Sequence, residues 1–215
     1  MSDNNMIQEQ AIQEHSHSHV HRDDIASKMG MWLFLFTEIL LFGGLFLLYL
    51  AYRFQYSQEF FTSAKNLNIV LGTINTIFLL TSSLTMALSI AALQRGNKKL
   101  SIAFIISTLG FALGFMIIKY FEWTAKFAHG IIPGGETLTS RPHGEVIFYG
   151  MYFSMTGLHA IHVIVGAVLI LFMLRFVIKG KLNKDNYQRL ENAGLYWHLV
   201  DLIWIFLFPL FYLLH

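Results

Sequence analysis

Residues 31–50 read MWLFLFTEILLFGGLFLLYL, and this stretch decides the kind of fold because Glu38 is its one charged side chain. Its length matches the roughly 20 residues that an α-helix needs to cross the hydrocarbon core of a bilayer. Four more apolar runs follow along the chain. The sequence therefore predicts five transmembrane spans, at about 29–52, 67–93, 100–127, 146–178 and 193–214.

The composition agrees with membrane insertion. Of the 215 residues, 55% are hydrophobic and 13% are charged, against about 25% charged in a soluble globular domain. None of the runs alternates with the period of two that marks a barrel strand, and an isolated span must satisfy its own backbone hydrogen bonds. We expect an all-α integral membrane bundle of five transmembrane helices over residues 27–215.

The basic residues outside the spans predict the orientation of the helices. Ten lysines and arginines lie in the segments on the side of the N-terminus, and four lie in the connections on the opposite side. Because cytoplasmic segments carry the excess of basic residues, the N-terminus is expected in the cytoplasm. The formal charge of +2 reports this topology and gives no support for nucleic-acid binding.

Residues 1–26 form a polar, histidine-rich tail, expected in the cytoplasm. Four of its histidines alternate with other residues and could hold a transition metal if the segment were extended: His15, His17, His19 and His21. We favour the simpler interpretation, in which the tail is solvated and its histidines have no partner. The chain has no cysteine, which excludes disulfides, iron–sulfur clusters and thiolate copper sites.

Ionisable residues within a span cost on the order of 2.5 to 3.5 kcal/mol each, so each needs a partner or a purpose. Glu38 is expected near the middle of the first span, facing protein or lipid headgroups. Lys119 and Glu122 lie three residues apart near the outer end of the third span. This spacing puts both side chains on one helix face and predicts a local ion pair.

Two further pairs repeat the three-residue spacing, His159 with His162 and His198 with Asp201. Two histidines can begin a metal site but cannot complete it, so hydrogen-bonded packing across helices is the better interpretation. For His198 and Asp201 we expect a structural pair with bonds to neighbouring helices.

Smaller residues also mark two of the spans. A weakly polar seam of Asn75, Ser82 and Ser89 and a Gly110/Gly114 pair indicate close contacts between helices.

Five segments resemble subunit III of cytochrome c oxidase, in the same order along the chain. They read MWLFLFTEILLFGGLF, LGTINTIFLLTSSLTMALS, LGFMIIKYFEW, TGLHAIHVIVG and YWHLVDLIWIFLFPLFYLL. Each match alone would be weak, but five in one order are a specific signal. The resemblance places the family's intramembrane glutamate at Glu38. Two helices that precede this glutamate in the long form of the subunit have no counterpart here, so the chain resembles the short, five-helix bacterial form.

The resemblance implies a non-catalytic subunit III of a haem-copper terminal oxidase. The complex would oxidise cytochrome c, reduce O2 and pump protons in aerobic respiratory electron transport. This subunit would pack with subunits I and II, stabilise subunit I and sustain proton uptake. It would also hold phospholipid, with Glu38, His159, His162, His198 and Asp201 as the expected lipid-binding or buried functional residues.

Haems and copper are expected in the partner subunits and none in this chain. Only three histidines lie within the spans, too few to ligate two haems and a copper. The expected location is a prokaryotic plasma membrane, where the oxidase could join a larger respiratory assembly.

Other functions stay open at the level of sequence. The chain could serve a quinol oxidase or act as an accessory protein of a nitric oxide reductase. A small ion transporter built on Glu38, Glu122 and the histidine pairs is the alternative from a different class. Against transport stands the lack of proline-broken helices and of repeated halves.

Overall fold

A computed structural model describes the backbone of residues 2–128, 130–132, 134–184 and 186–213, with side chains from residue 26 onward. Helices account for nearly all of this backbone, and the described ranges contain no β-strand. The helices are α1 (Ser2–Gln55), α2 (Ser57–Lys65), α3 (Ile69–Gln94), α4 (Lys98–Ala128), α5 (Glu136–Thr139), α6 (His143–Ile178) and α7 (Gln188–Phe208), followed by a π-helical turn (Pro209–Leu213).

Five helical stretches are long and apolar enough to cross a membrane, which confirms the predicted fold class. They are Ala26–Gln55, Ile69–Gln94, Lys98–Ala128, His143–Ile178 and Gln188–Leu213. The short helices α2 and α5 lie in connections that the apolar pattern did not mark as helical. The described residues fall into two compact units, up to Leu40 and from Leu41 onward.

Local sequence explains where several helices begin and end. The side chain of Asn68 accepts hydrogen bonds from the backbone N–H groups of Val70 (3.0 Å) and Leu71 (3.2 Å) and so caps the start of α3. Gly96 and Gly180 follow the ends of α3 and α6 with φ of 79° and 71°. This left-handed conformation costs glycine little because it has no Cβ.

The helices α3, α4, α6 and α7 form a ring in which each packs on two neighbours, in the order α3–α4–α6–α7 and back to α3. The seam on α3 faces the inside of this ring, and Asn75, Ser82 and Ser89 are all fully buried. Ser82 accepts a hydrogen bond from the indole N–H of Trp197 on α7 at 3.1 Å. The seam therefore joins neighbouring helices, as its sequence indicated.

The end of α1, from Leu41 onward, packs together with α2 on one side of the ring. The Tyr49 hydroxyl donates to the carbonyl of Leu210 at 2.6 Å. The Tyr49 ring also makes edge contacts with Phe60 on α2 and with Phe211 in the π-helical turn. These contacts hold the last turn of the chain against the bundle.

That last turn is wider than an α-helix. Pro209 opens it, and proline has no backbone N–H with which to continue the ladder of α7. The next residues form the π-helical turn Pro209–Leu213, a geometry that is rare in proteins and occurs mostly as single turns. Phe211 and Tyr212 both point inward and are fully buried.

Of the two glycines that the sequence paired on α4, only one makes a close helix contact. A Cβ at Gly114 would lie 2.7 Å from Cε2 of Phe78 on α3, whereas a Cβ at Gly110 would meet nothing within 4 Å. The four-residue spacing therefore predicted a close helix contact correctly at Gly114 and wrongly at Gly110.

This difference predicts opposite effects of the same substitution. Gly114→Ala should lower the free energy of unfolding by about 1–3 kcal/mol, because the added methyl overpacks against Phe78. Gly110→Ala should be neutral or raise it by up to about 1 kcal/mol through helix propensity. Thermal unfolding in detergent, followed by tryptophan fluorescence, measures both. Equal effects at the two sites would contradict the packing assigned to Gly114.

Candidate functional site

A network of charged and phenolic groups is buried where α4, α6 and the π-helical turn meet. Lys119 donates hydrogen bonds to Glu122 Oε2 at 2.9 Å and to the Tyr212 hydroxyl at 2.8 Å. Glu122 Oε1 accepts from the hydroxyls of Tyr152 at 2.8 Å and Tyr212 at 2.6 Å. Lys119 and Glu122 are each only 4% exposed. The structure thus contains the ion pair that the three-residue spacing predicted, together with two tyrosines that complete it.

Two aromatic rings add to the cationic side of this network. The Lys119 ammonium lies 4.7 Å from the centroid of the Trp204 ring, and the Lys126 ammonium lies 5.3 Å from that of Tyr152. A ring face attracts a cation at these distances, and the attraction is stronger where both groups are desolvated. Lys119 is therefore paired with the buried carboxylate, and the aromatic rings stabilise the charge of both lysines.

His159 occupies the interior of the ring and is fully buried. Its imidazole lies 5.6 Å from the Phe115 ring on α4 and 5.2 Å from the Trp204 ring on α7. Neither ring nitrogen makes a hydrogen bond to the described residues. Such a buried polar group is uncommon in native proteins and calls for an explanation such as bound water or a functional role.

His162, one turn further along α6, has different surroundings. Its Nδ1 lies 2.7 Å from the carbonyl oxygen of Leu158, so Nδ1 carries the proton that this contact requires. The ring is half-buried and makes an edge contact with Phe42 in α1, at 5.3 Å between centroids. The two histidines thus contact different helices, although their spacing placed them on one side of α6.

His198 and Asp201, the pair on α7, also have different surroundings. His198 is half-buried, and its Nδ1 lies 2.6 Å from the Ser83 hydroxyl on α3. Asp201 is 3% exposed, and Ser83 also faces its carboxyl group. Its two oxygens have no hydrogen-bond partner among the described residues. The interhelical bond that the sequence suggested is therefore made by His198 to Ser83.

Two of the residues predicted at a lipid-binding site, His159 and Asp201, are buried inside the chain, whereas His162 and His198 are accessible at its sides. Glu38 belongs to the N-terminal unit and lies within the first span.

The histidine-rich tail was a weak candidate for binding a transition metal. His15, His17, His19 and His21 have side chains outside the described residues. Within the part of the chain that is described, no group of three or more histidine, aspartate or glutamate side chains could hold a metal ion.

The phenolic partners of Glu122 were not predicted from the sequence. Tyr152, Thr156 and His159 follow one another at spacings of four and three, which place them on one face of α6. That signal was present in the sequence. Tyr212 gave no such signal, because its inward position depends on the π-helical turn.

Five helices long and apolar enough to cross a membrane, four of them in a ring around buried charged and hydrogen-bonding side chains, define a multi-pass α-helical membrane protein. The family model of cytochrome c oxidase subunit III matches residues 3–215. The chain belongs to this family, as the ordered segments had indicated.

Individual relatives come from prokaryotes. The chain is 34% identical over 190 residues to the probable quinol oxidase subunit 3 of Staphylococcus saprophyticus, covering 87% of this chain and 89% of that protein. It is 31% identical over 199 residues to the same-named protein of Staphylococcus aureus, covering 92% of each. It is 30% identical over 201 residues to the heme-copper oxidase subunit I+III of Aeropyrum pernix. That alignment covers 89% of this chain, which spans only 23% of the longer relative.

The buried ion pair predicts a strong and coupled effect on stability. Lys119→Met and Glu122→Gln should each cost about 3–5 kcal/mol, because each leaves an uncompensated group in the bundle. The double variant should cost clearly less than the sum of the two. Thermal unfolding of the four proteins in one detergent measures the coupling.

Arg141 and Glu145 provide a matched control for this cycle. Their ion pair, at 3.2 Å, has side chains that are 33% and 17% exposed, so Glu145→Gln should cost less than about 1 kcal/mol. Strictly additive costs at Lys119 and Glu122 would show that the two residues do not act as a pair.

Proposed function

We propose that this chain is the non-catalytic third subunit of a respiratory haem-copper oxidase in a prokaryotic plasma membrane. In this assignment it packs against the haem-bearing subunit I, with subunit II in the same complex and its own N-terminus in the cytoplasm. The match of the family to residues 3–215 is the observation that carries the proposal. The relative from Aeropyrum pernix, whose name joins subunits I and III, supports contact with subunit I.

The proposed role is to stabilise subunit I and to sustain its uptake of protons during turnover. The haems and copper belong to the partner subunits in this assignment. Among the buried ionisable groups described above, Glu122 and Lys119 are already paired within the bundle. A supporting role is consistent with this, because an internally satisfied network favours a rigid scaffold over a conducting path.

The electron donor that we propose for the complex is cytochrome c. Quinol is the second candidate, and it is favoured by the names of the two staphylococcal relatives, which are probable quinol oxidase subunits. The two donors differ in solubility and approach the oxidase from different phases, so the choice between them lies in the partner subunits. This chain alone does not determine it.

Purification of a tagged chain from its native membrane in mild detergent tests the assignment. The preparation should show haem absorbance and contain a large catalytic subunit. It should consume O2 with reduced cytochrome c, whereas consumption with quinol alone would favour the second candidate. A colourless chain without a partner subunit would contradict the assignment altogether.

The supporting role has its own measurement. Oxidase assembled without this chain, once reconstituted in vesicles, should move fewer protons per electron and lose activity sooner during turnover than the complete enzyme. The complete enzyme carrying Gly110→Ala is the control, because a methyl there meets nothing within 4 Å. Equal pumping and equal lifetime with and without the chain would exclude the role.

We also propose that the chain retains phospholipid through polar groups within the membrane, among them Glu38 and His162. Headgroup amines and phosphates supply the hydrogen-bond donors and acceptors that hydrocarbon lacks. His162 is half-buried, beside Phe42. Its ring could therefore be reached from outside the bundle.

Native mass spectrometry of the purified complex tests this lipid site. Glu38→Gln and His162→Phe should each reduce the retained phospholipid about tenfold, the effect expected when a hydrogen bond to a charged group is lost. Glu59→Gln, the same change as at Glu38 but in the short helix α2, should leave the lipid in place. If Glu38→Gln and His162→Phe retained as much phospholipid as Glu59→Gln and the wild type, the proposed lipid site would be wrong.

A further inference from the structure

The edge where α3 and α7 meet carries a hydrogen-bonded pair whose chemistry is incomplete within this chain. Ser83 Oγ and His198 Nδ1 are 2.6 Å apart. The ring of His198 is half-buried, and its Nε2 makes no hydrogen bond to any residue that the structure describes. One nitrogen of the imidazole is therefore available to a group outside the chain.

This pair lies near the middle of two of the candidate spans. Ser83 is near the centre of Ile69–Gln94, and His198 is near the centre of Gln188–Leu213. Hydrocarbon at that depth offers neither a donor nor an acceptor, so a polar group left facing lipid there costs several kcal/mol. Two apolar side chains lie about one turn away along the two helices, Leu80 at 47% exposed and Leu202 at 48%. The accessible ring of His198 is thus a polar group close to exposed apolar side chains.

The surroundings of Ser83 set the direction of its hydrogen bond to His198. Asp201 lies beside Ser83, but neither oxygen of its carboxyl group makes a hydrogen bond to a described residue. No lysine or arginine of the described residues forms an ion pair with Asp201, and an ionised carboxylate without a cation is costly within a span, so the neutral acid is the less expensive form. The serine hydroxyl is therefore free to donate its single proton to His198 Nδ1. The imidazole proton is left on Nε2, pointing away from Ser83.

From this arrangement we infer that the α3–α7 edge receives a transmembrane helix of the partner oxidase subunit, and that His198 Nε2–H donates a hydrogen bond to an acceptor on that helix. The acceptor would be a serine, threonine or asparagine oxygen, or a backbone carbonyl freed from its own helix. Such side chains are known to bond across helices within membranes. The inference rests on the proposed function, because it requires a partner subunit.

The opposite edge of the ring, between α4 and α6, differs because it presents an apolar groove. Between α4 and α6 lies a groove of about 380 Å³ lined only by apolar side chains, among them Leu113 and Val168. It offers no hydrogen-bonding side chain to a partner and suits an acyl chain. The two edges therefore make a matched pair of surfaces for a test, one with a central hydrogen-bond donor and one without.

Site-directed photo-crosslinking in the native complex distinguishes the two edges. A photoreactive amino acid is placed at Leu80 or Leu202 on the α3–α7 edge, and at Leu113 or Val168 on the α4–α6 edge. All four side chains are exposed to similar degrees, from 46% to 62%. Crosslinks from Leu80 and Leu202 should join the chain to the haem-bearing subunit, while those from Leu113 and Val168 should capture lipid.

Variants of His198 test the hydrogen bond itself. His198→Phe should weaken retention of the haem-bearing subunit in detergent about 3-fold to 20-fold, the range measured for single hydrogen bonds between membrane helices. His198→Gln, which keeps a donor, should retain more of the partner than His198→Phe does. A merely structural role would lower the thermal stability of the isolated chain in proportion, and this is measured alongside.

Each outcome decides between the inference and its alternatives. Crosslinks to the haem-bearing subunit only from Leu113 and Val168 would overturn the inference and assign the interface to the apolar edge. Wild-type retention of the partner by His198→Phe would overturn the hydrogen bond. A wild-type chain that captures no haem-bearing subunit from any position would instead contradict the proposed function on which the inference rests.

Discussion

The carboxylate of Glu122 is the group on which the packing of the bundle depends. Water is scarce inside a membrane protein, so a buried charge must find its partners within the chain or its complex. Glu122 finds Lys119 on its own helix, Tyr152 on α6 and Tyr212 in the π-helical turn. One acid thereby joins the end of α4, the beginning of α6 and the end of α7, which all lie on the same side of the membrane because successive spans alternate in direction.

Sequence patterns predicted the elements better than the contacts between them. Five spans and the Lys119–Glu122 pair follow from length, hydropathy and spacing within one helix, all of which are local properties. The partners Tyr152 and Tyr212 come from elsewhere in the chain, and finding them requires the rotation of each helix about its axis. Helices that are apolar on every side give little indication of that rotation. The same reason explains why Gly110 and Gly114 looked equivalent in sequence.

The three histidines within the spans show how little residue type alone says about role. Residues three apart on an α-helix are rotated by about 60° from each other at 3.6 residues per turn. That angle is enough to put His159 among aromatic rings inside the bundle and His162 against α1. His198 instead bonds across to α3. Residues of one type on neighbouring turns thus hold different parts of the bundle together.

The π-helical turn at Pro209–Leu213 makes the position of Tyr212 depend on how the backbone is wound. A π turn holds more residues than the 3.6 of an α turn, so each of its residues advances by a smaller angle about the axis. If the same residues continued as a regular α-helix, the side chains near the end of the segment would be rotated about the axis by roughly several tens of degrees. The hydroxyl of Tyr212 would then leave the Glu122 carboxylate, although the composition and hydropathy of the span would not change. In this segment the winding of the backbone, more than the identity of the residues, determines whether the last helix and the buried acid meet.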